Sequence, residues 1–494
     1  MKRLVSPALV GLFLLSGYAN AEDMNLKQEV EQLKKQMAEL KKAQEKINIS
    51  ALKREISEVK AHDGHDNIKW NVDFRTAFDY ISYKHESGKK DSNSIFTNRL
   101  YLNMAYAPND NLAFFGTLAY YKTYGQQLGA KQGFNYFDWI VNESANPSDE
   151  LRVKEAYWLY RSDTFLGSDV PFTASFGRRP ATDGLLVNYR EDQKAKSPIG
   201  HIIDTEFDGA SFGWQLENVT GISGMYFKIC LGRGMSNVKS RYYGIGANTT
   251  GTGGQYIMNP SALDYTKVDG KSTTDLGGFI FKPYDDGQYS VHTTLFKAFN
   301  LPGMVFAGMS GTTPTYNFTQ TGDLAGGAIS FIADGVGDGI SDFLDDTTVF
   351  ASFAFSKTYP KNGYAMLGSK DSKSGSSIYL GANWDCQLID NARVGVEYNH
   401  GSKYWRSFTY GEDTLAGSKL ATRGDAYEFW FNKELIGKKL TAQLRYTYMD
   451  YKYTGSNAFF GDGGNPMTMD EAKARGMDPV DSAQDIRLYI RYRY

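Results

Sequence analysis

Ile68-Lys69-Trp70-Asn71-Val72-Asp73-Phe74-Arg75-Thr76-Ala77-Phe78-Asp79-Tyr80 divides cleanly by parity. Ile68, Trp70, Val72, Phe74, Thr76, Phe78 and Tyr80 fall on one face of an extended chain, and Lys69, Asn71, Asp73, Arg75, Ala77 and Asp79 on the other, as the two-residue period of a β-strand requires. The pattern returns in Phe96 to Tyr106, Leu112 to Tyr120, Met225 to Leu231, Ile378 to Trp384, Ala392 to Tyr398, Leu440 to Tyr448 and Ile486 to Tyr494. A soluble sandwich alternates in the same way, with short polar turns at both ends. The lengths of the connections discriminate better.

The segments at 108–111, 284–288, 389–391 and 436–439 are tight turns, whereas 123–150, 178–207, 233–273, 405–423 and 454–483 are long and rich in Gly, Asp and Ser. Such asymmetry marks a transmembrane barrel, with short turns on one side of the membrane and long loops on the other. Candidate strands lie near 68–83, 95–106, 112–122, 151–161, 171–177, 208–216, 223–232, 274–284, 289–299, 347–358, 376–388, 391–404, 424–435, 440–453 and 484–494. The even-number rule requires one more between 300 and 346, and Asp323 to Ala333 fits best, so the expected fold is an all-β antiparallel barrel of about 16 strands. Strand 151–161 fits less well, because Glu155 falls on its apolar parity.

Composition agrees once it is split by parity. The 494 residues include 34 Tyr, 30 Phe and 7 Trp on a chain that is only 41% hydrophobic, with a mean hydropathy of −0.45. Averaging a lipid-facing parity with a charged one makes the chain look soluble. Past the N-terminus no stretch approaches the roughly 20 apolar residues of a spanning helix. With 54 Lys and Arg against 56 Asp and Glu there is no basic excess to suggest nucleic acid. Cys230 and Cys386 are too few for a disulfide framework or a four-cysteine metal site, and no cofactor is expected.

The N-terminus reads as an address. Met1-Lys2-Arg3, the apolar run Leu4 to Leu15 and Ala19-Asn20-Ala21 are the three parts of a secretory signal, so residues 1–21 are expected to be removed. In 22–61, Leu26, Val30, Leu33, Met37 and Leu40 recur in steps of four and three, and Ile49, Leu52, Ile56 and Val59 restart in a shifted frame. This is a coiled-coil seam with a stutter. An isolated amphipathic helix is marginal in water, so the seam calls for partners, and a homotrimer is the expectation. Residues 62–67, His62-Asp63-Gly64-His65-Asp66-Asn67, read as a solvated linker and 68–494 as the barrel.

At the C-terminus Ile486, Leu488, Ile490, Tyr492 and Tyr494 alternate with Arg487, Tyr489, Arg491 and Arg493. An exported chain with a short coiled coil, a 16-strand pattern and a terminal aromatic resembles the trimeric porin superfamily of bacterial outer membranes. In particular it resembles the porins with an N-terminal periplasmic coiled coil of campylobacter-like bacteria. The resemblance implies a Gram-negative outer-membrane location, contact with lipid and lipopolysaccharide, and a peptidoglycan contact through the coiled coil. It also implies assembly by the barrel assembly machinery, which would read Ile490, Tyr492 and Tyr494.

A 16-strand barrel leaves an aqueous channel. Its wall would present Arg75, Arg99, Arg393, Glu397, Arg445, Arg487 and Arg491, with Arg493, Asp73 and Asp79. The resemblance implies that the third outer loop, 178–207, folds inward as a constriction, bringing Arg178, Arg179, Asp183, Arg190, Glu191 and Asp192, where fixed charges set ion preference. The expected function is passive diffusion of small hydrophilic solutes, mildly anion-favouring. A channel specific for siderophores or organic acids is the nearest rival, with Phe134-Asn135-Tyr136-Phe137-Asp138-Trp139 available to stack on a ligand. A structural or adhesive barrel is another. An enzyme is not expected, since no HExxH motif is present, no GxSxG stands at a strand-to-helix elbow (Gly209-Ala210-Ser211-Phe212-Gly213 falls within the candidate strand 208–216), and the six His form no catalytic pairing. Asp334, Asp338, Asp342 and Asp345 resemble a calcium loop, although position three is Val336 and position twelve is Asp.

Overall fold

The computed structural model describes residues 68–124, 151–180, 187–192, 200–237, 245–247, 256–258, 272–311, 313–337, 339–409, 412–456 and 464–494. The signal segment, the coiled coil, the linker, the aromatic run 134–139, Asp183 and Asp338 lie outside them.

Sixteen antiparallel strands close into one barrel. They are β1 (Lys69–His85), β2 (Lys90–Tyr106), β3 (Leu112–Thr123), β4 (Arg152–Ser162), β5 (Phe172–Arg179), β6 (Phe207–Gln215), β7 (Tyr226–Met235), β8 (Thr274–Asp285), β9 (Tyr289–Ser310), β10 (Thr313–Asp334), β11 (Thr348–Pro360), β12 (Ser374–Asp385), β13 (Ala392–Gly401), β14 (Gly424–Ile436), β15 (Leu440–Tyr451) and β16 (Val480–Arg493). A short pair, Ile245–Ala247 with Tyr256–Met258, stands apart from the barrel sheet. The strand expected at Asp323 to Ala333 is β10. It begins ten residues earlier, because β9 and β10 continue together as a hairpin of 22 residues in each strand. The barrel closes where β16 pairs with β1, from Asp73 opposite Arg493 to Tyr83 opposite Ala483, and Tyr494 and Val72 exchange two backbone hydrogen bonds of 2.9 Å.

Connections at the end that holds both strand termini are 107–111, 163–171, 216–225, 286–288, 335–347, 386–391 and 437–439. The turn chemistry is local. Asn109 Oδ1 accepts from the backbone N–H of Asn111 and Leu112, and Asp286 Oδ1 accepts from those of Gln288 and Tyr289, with Gly287 at φ 90, a conformation that favours glycine. The opposite end carries 124–151, 180–206, 236–273, 402–423 and 452–479 together with the shorter 86–89, 311–312 and 361–373, so the long loops marked in the sequence all fall on one side, while tight turns occur on both.

Burial is inverted relative to a soluble domain. Arg75 is 4% exposed and its neighbour Phe74 37%; Arg487 is 1% exposed and Leu488 52%. The apolar parity faces outward, and Trp70, Tyr160, Tyr284, Tyr289 and Tyr492 ring its edge near the strand termini, the aromatic girdle of a membrane interface. Strand β4 resolves its own anomaly. A β-bulge sits where Thr117 opposes Glu155 and Leu118 opposes Val153, leaving Lys154 unopposed and switching the parity. Val153, Trp158 and Tyr160 all lie exposed, so Glu155 shares the inward parity with Tyr157.

Candidate functional site in the barrel lumen

The inward parity of β1, β2, β15 and β16 places like charges directly opposite one another. Arg75 faces Arg99 on β2 and Arg491 on β16, and Arg487 faces Arg445 on β15. Opposed like charges destabilise a sheet, so the rows hold only with carboxylates between them. Asp73 accepts from Arg491 Nε at 2.8 Å and lies 3.6 Å from Arg99, and Asp79 pairs with Arg487.

On the far wall several inward residues of β10–β12 are small, beside the larger Leu324, Phe350 and Tyr379, and two long loops lie on them. Gly326, Ser330, Ser352 and Ser377 border the descending end of loop 180–206, where His201, Ile202 and Ile203 are fully buried. A Cβ at Gly326 would stand 3.1 Å from Ile202. His201 bridges Ser352 Oγ (2.7 Å) and Ser377 Oγ (3.0 Å), and burial keeps the imidazole neutral, pushing its pKa down to about 3. Loop 402–423 joins it there. Ile203 and Phe408 form a parallel bridge, with Phe408 N donating to Ile202 O at 2.8 Å. Together Ile202, Ile203, Phe296, Leu324, Met366 and Trp405 form an apolar cluster inside the barrel.

The two loops carry charge to the strand walls. Arg190, at the end of a single helical turn from Val187, reaches Glu428 of β14 at 2.5 Å and Glu397 of β13 at 3.8 Å. Lys419 of loop 402–423 lies 2.5 Å from both of these glutamates and 3.4 Å from Glu412. Tyr379 and Trp430 also donate to Glu397. Gly395 is required here, since a Cβ would collide with the Trp430 ring. Glu191 accepts from Tyr489 Oη at 3.2 Å and Arg491 Nη1 at 3.3 Å. Burial opposes its ionisation, yet Arg190, Arg491 and Arg99 outweigh burial and hold its pKa at about 2. Asp192 meets Arg493 at 3.2 Å and Lys438 at 3.3 Å.

Asp413, also from loop 402–423, sits against four arginines. Its carboxylate accepts from Arg75 Nη2 at 3.1 Å and lies 3.2 Å from Arg487 and 3.6 Å from Arg99. Its backbone carbonyl accepts from Arg445 and from Arg487 Nη1 at 2.9 Å. Burial alone would raise its pKa, but Arg75, Arg487 and Arg99 hold it well below the usual carboxylate range.

Of the residues expected in the constriction, Arg190 and Glu191 are buried among strand charges and Asp192 lies at their edge. Arg178 and Arg179 are the last residues of β5 and so belong to the wall, not the loop. Arg178 is half-exposed beside Glu206 and Asp208, and the Arg179 guanidinium lies 4.0 Å from the Tyr157 ring centroid. All of the expected wall residues take the inward parity. Arg393, near the short turns, pairs with Asp385 at 2.8 Å and stacks on Tyr189. The arginines of β1, β2, β15 and β16 are engaged by carboxylates and carbonyls, not bathed in open water. Ile490, Tyr492 and Tyr494 are exposed on the lipid side.

In the calcium-like segment, Asp334 ends β10 and accepts from Thr348 Oγ1 at 2.5 Å. Asp342 and Asp345 lie in a one-turn helix capped by Ser341. No cluster of His, Cys, Asp or Glu among the described residues could hold a metal.

Sequence reasoning missed Asp413, Lys419, Glu412 and Glu428. The inward parity of Glu428 and Trp430 on β14 was readable. The loop residues carry no period that says where they fold.

The family model described as Protein of unknown function (DUF3373) matches residues 89–494. No curated protein matches the chain. Among solved structures it is similar to OmpT, an outer membrane protein of Vibrio cholerae, at 12% identity over 86% of this chain and 97% of that one, with a TM-score of 0.44. It is also similar to an anion-selective porin from Comamonas acidovorans, at 10% identity over 86% and 99%, TM-score 0.44, and to OprB of Pseudomonas putida, at 10% over 86% and 94%, TM-score 0.42. At these scores the likenesses carry no argument about what the barrel does, and the strand count and register stand on the chain's own geometry. Because the family match runs from the first connection, between β1 and β2, to the last residue of the barrel, the chain belongs to the DUF3373 family.

Proposed function

We propose that the protein is an outer-membrane channel for passive diffusion of small hydrophilic solutes and ions, with a lumen narrowed by the inward loops 180–206 and 402–423. The observation that carries this reading is the inversion of burial: a closed sheet with apolar side chains outside and paired charges inside is suited to lipid around it and water within it. Sixteen strands enclose more space than strand side chains alone can fill, which leaves room both for the loops and for a path. Arg190, Glu191 and Asp192 contribute the fixed charges of the constriction, with the wall arginines opposite. A mild anion preference is the direction proposed, because the inward strand positions are rich in arginine: Arg75, Arg99, Arg445 and Arg487 gather around Asp413, with Asp73 and Asp79 as further carboxylate partners of Arg99 and Arg487.

The same reading gives the remainder of the chain its place. Residues 1–21 direct export, and 22–61 form a periplasmic coiled coil that supports a homotrimer and a peptidoglycan contact, as in the porins of campylobacter-like bacteria that the sequence resembles. The belt meets lipid and lipopolysaccharide. Ile490, Tyr492 and Tyr494 serve recognition by the barrel assembly machinery.

Reversal potentials in planar bilayers under a potassium chloride gradient test the proposal. Ohmic current with a reversal potential of anion-selective sign is expected. A clear cation preference would refute the anion assignment, and no current at all would refute the channel.

A further inference from the structure

Asp413 is a carboxylate already bound in a built site. Arg75, Arg99 and Arg487 surround its side chain, and Arg445 and Arg487 hold its carbonyl. The guanidinium groups come from four different strands of the closed sheet. They are not exhausted by this one acid. Arg75 Nε, Arg99 Nε and both Nε and Nη1 of Arg445 are buried with no hydrogen-bond partner among the described residues, and all three arginines are more than nine-tenths buried. An unfilled buried N–H is costly, and paired guanidinium N–H groups match the two oxygens of a carboxylate. The seat is also reachable: the Asp413 side chain keeps 34% of its exposure while its arginines are shielded.

We propose that the seat formed by Arg75, Arg99, Arg445 and Arg487 is a binding site for small carboxylate anions, and that Asp413 is a tethered competitor for it. The inference deepens the channel reading and rests on it for the solute's route to the seat. A carboxylate on a short flexible tether competes at an effective concentration of about millimolar. The wild-type protein therefore binds free carboxylates weakly and releases them quickly, which suits a path better than a trap.

Calorimetric titration of the full-length protein in detergent micelles with succinate, and with neutral succinamide as its control, measures the seat without any conduction. A barrel that fails to conduct yet binds as described would overturn the channel and leave the seat standing. Asp413→Asn is expected to tighten succinate binding at least about tenfold, with no gain for succinamide, and Asp413→Asn/Arg75→Gln to lose that gain. Asp413→Ser serves should the asparagine variant not fold, folding being checked by heat-modifiable migration. Equal succinate affinity in wild type and both Asp413 variants would overturn the proposal. So would a gain that survives Arg75→Gln, because the anion would then be bound elsewhere.

Discussion

Asp79 and Arg487 stand directly opposite across the seam where β16 closes on β1, and their side chains form an ion pair with at most 1% exposure on either partner. Residues 408 positions apart in the chain are thus joined at the point where the barrel becomes a closed sheet. Removing one partner of a buried pair strands the other charge, at a cost of about 3–5 kcal/mol. Arg487→Leu is therefore expected to lower the stability of the vesicle-inserted barrel by about that much in urea titration. Asp79→Asn/Arg487→Leu should recover part of the loss, since Asp79 no longer needs a counter-charge while Asp413 still does. Equal losses in the single and double variants would show that the pair contributes nothing to closure.

Leu488, one residue on, points the other way and is 52% exposed. On a lipid-facing wall Leu488→Arg costs about 2–4 kcal/mol near the bilayer midplane, whereas an extra arginine on a water-facing surface is nearly neutral. Folding into vesicles should be impaired by Leu488→Arg and equally by Leu444→Arg on β15. Unchanged folding yields for both would contradict the outward assignment of this parity.

Acid should loosen the inward loops in two stages. For His201 the folded value of about 3 lies below its ordinary 6.5, so the unfolded loop binds the proton more readily. The seat between Ser352 and Ser377 is then fully stabilising above pH 6.5 and weakens by about 1.4 kcal/mol per pH unit below it. Glu191, at about 2 against an ordinary 4.5, adds a contribution that is complete above pH 4.5 and lost as pH falls towards 2. Current fluctuations in planar bilayers should therefore grow between pH 7 and 4, and His201→Gln should abolish the part above pH 4.5. A flat response across this range would refute the loop assignment.

Charge variants should move selectivity in opposite directions. Arg75→Gln leaves Asp413 less neutralised and should shift the reversal potential towards cations, while Glu191→Gln frees Arg491 and should shift it towards anions. A shift of the same sign in both, or in neither, would place the ion path away from these groups.

The barrel was legible because a sheet facing lipid on one side and polar groups on the other writes its period into the chain. Each of the sixteen strands had a recognisable segment, including β10, where the even-number rule pointed to Asp323 to Ala333. Three features lay outside that logic. The bulge at Lys154 shifts the parity of β4 by one residue; Glu155 on the apolar parity marks the anomaly in the sequence, and the register with β3 explains it. The β9–β10 hairpin extends beyond the segment its apolar alternation marks. Asp413 depends on contacts with Arg75, 338 residues away, and no local rule connects a loop to the wall it meets. A fainter signal existed in the inward parity of β10–β12, where Gly326, Ser330, Ser352 and Ser377 replace the charges of β1 and β16. A wall of small residues makes room for something to lie on it.

The central claim, a water-filled path for small solutes, is tested most directly by swelling of liposomes that contain the full-length protein, over a size series of sugars. The account predicts swelling well above that of empty liposomes for the smallest sugars, falling steadily with solute size and rising without saturation as solute concentration increases. Swelling no faster than in protein-free liposomes, even for the smallest sugar, would contradict it.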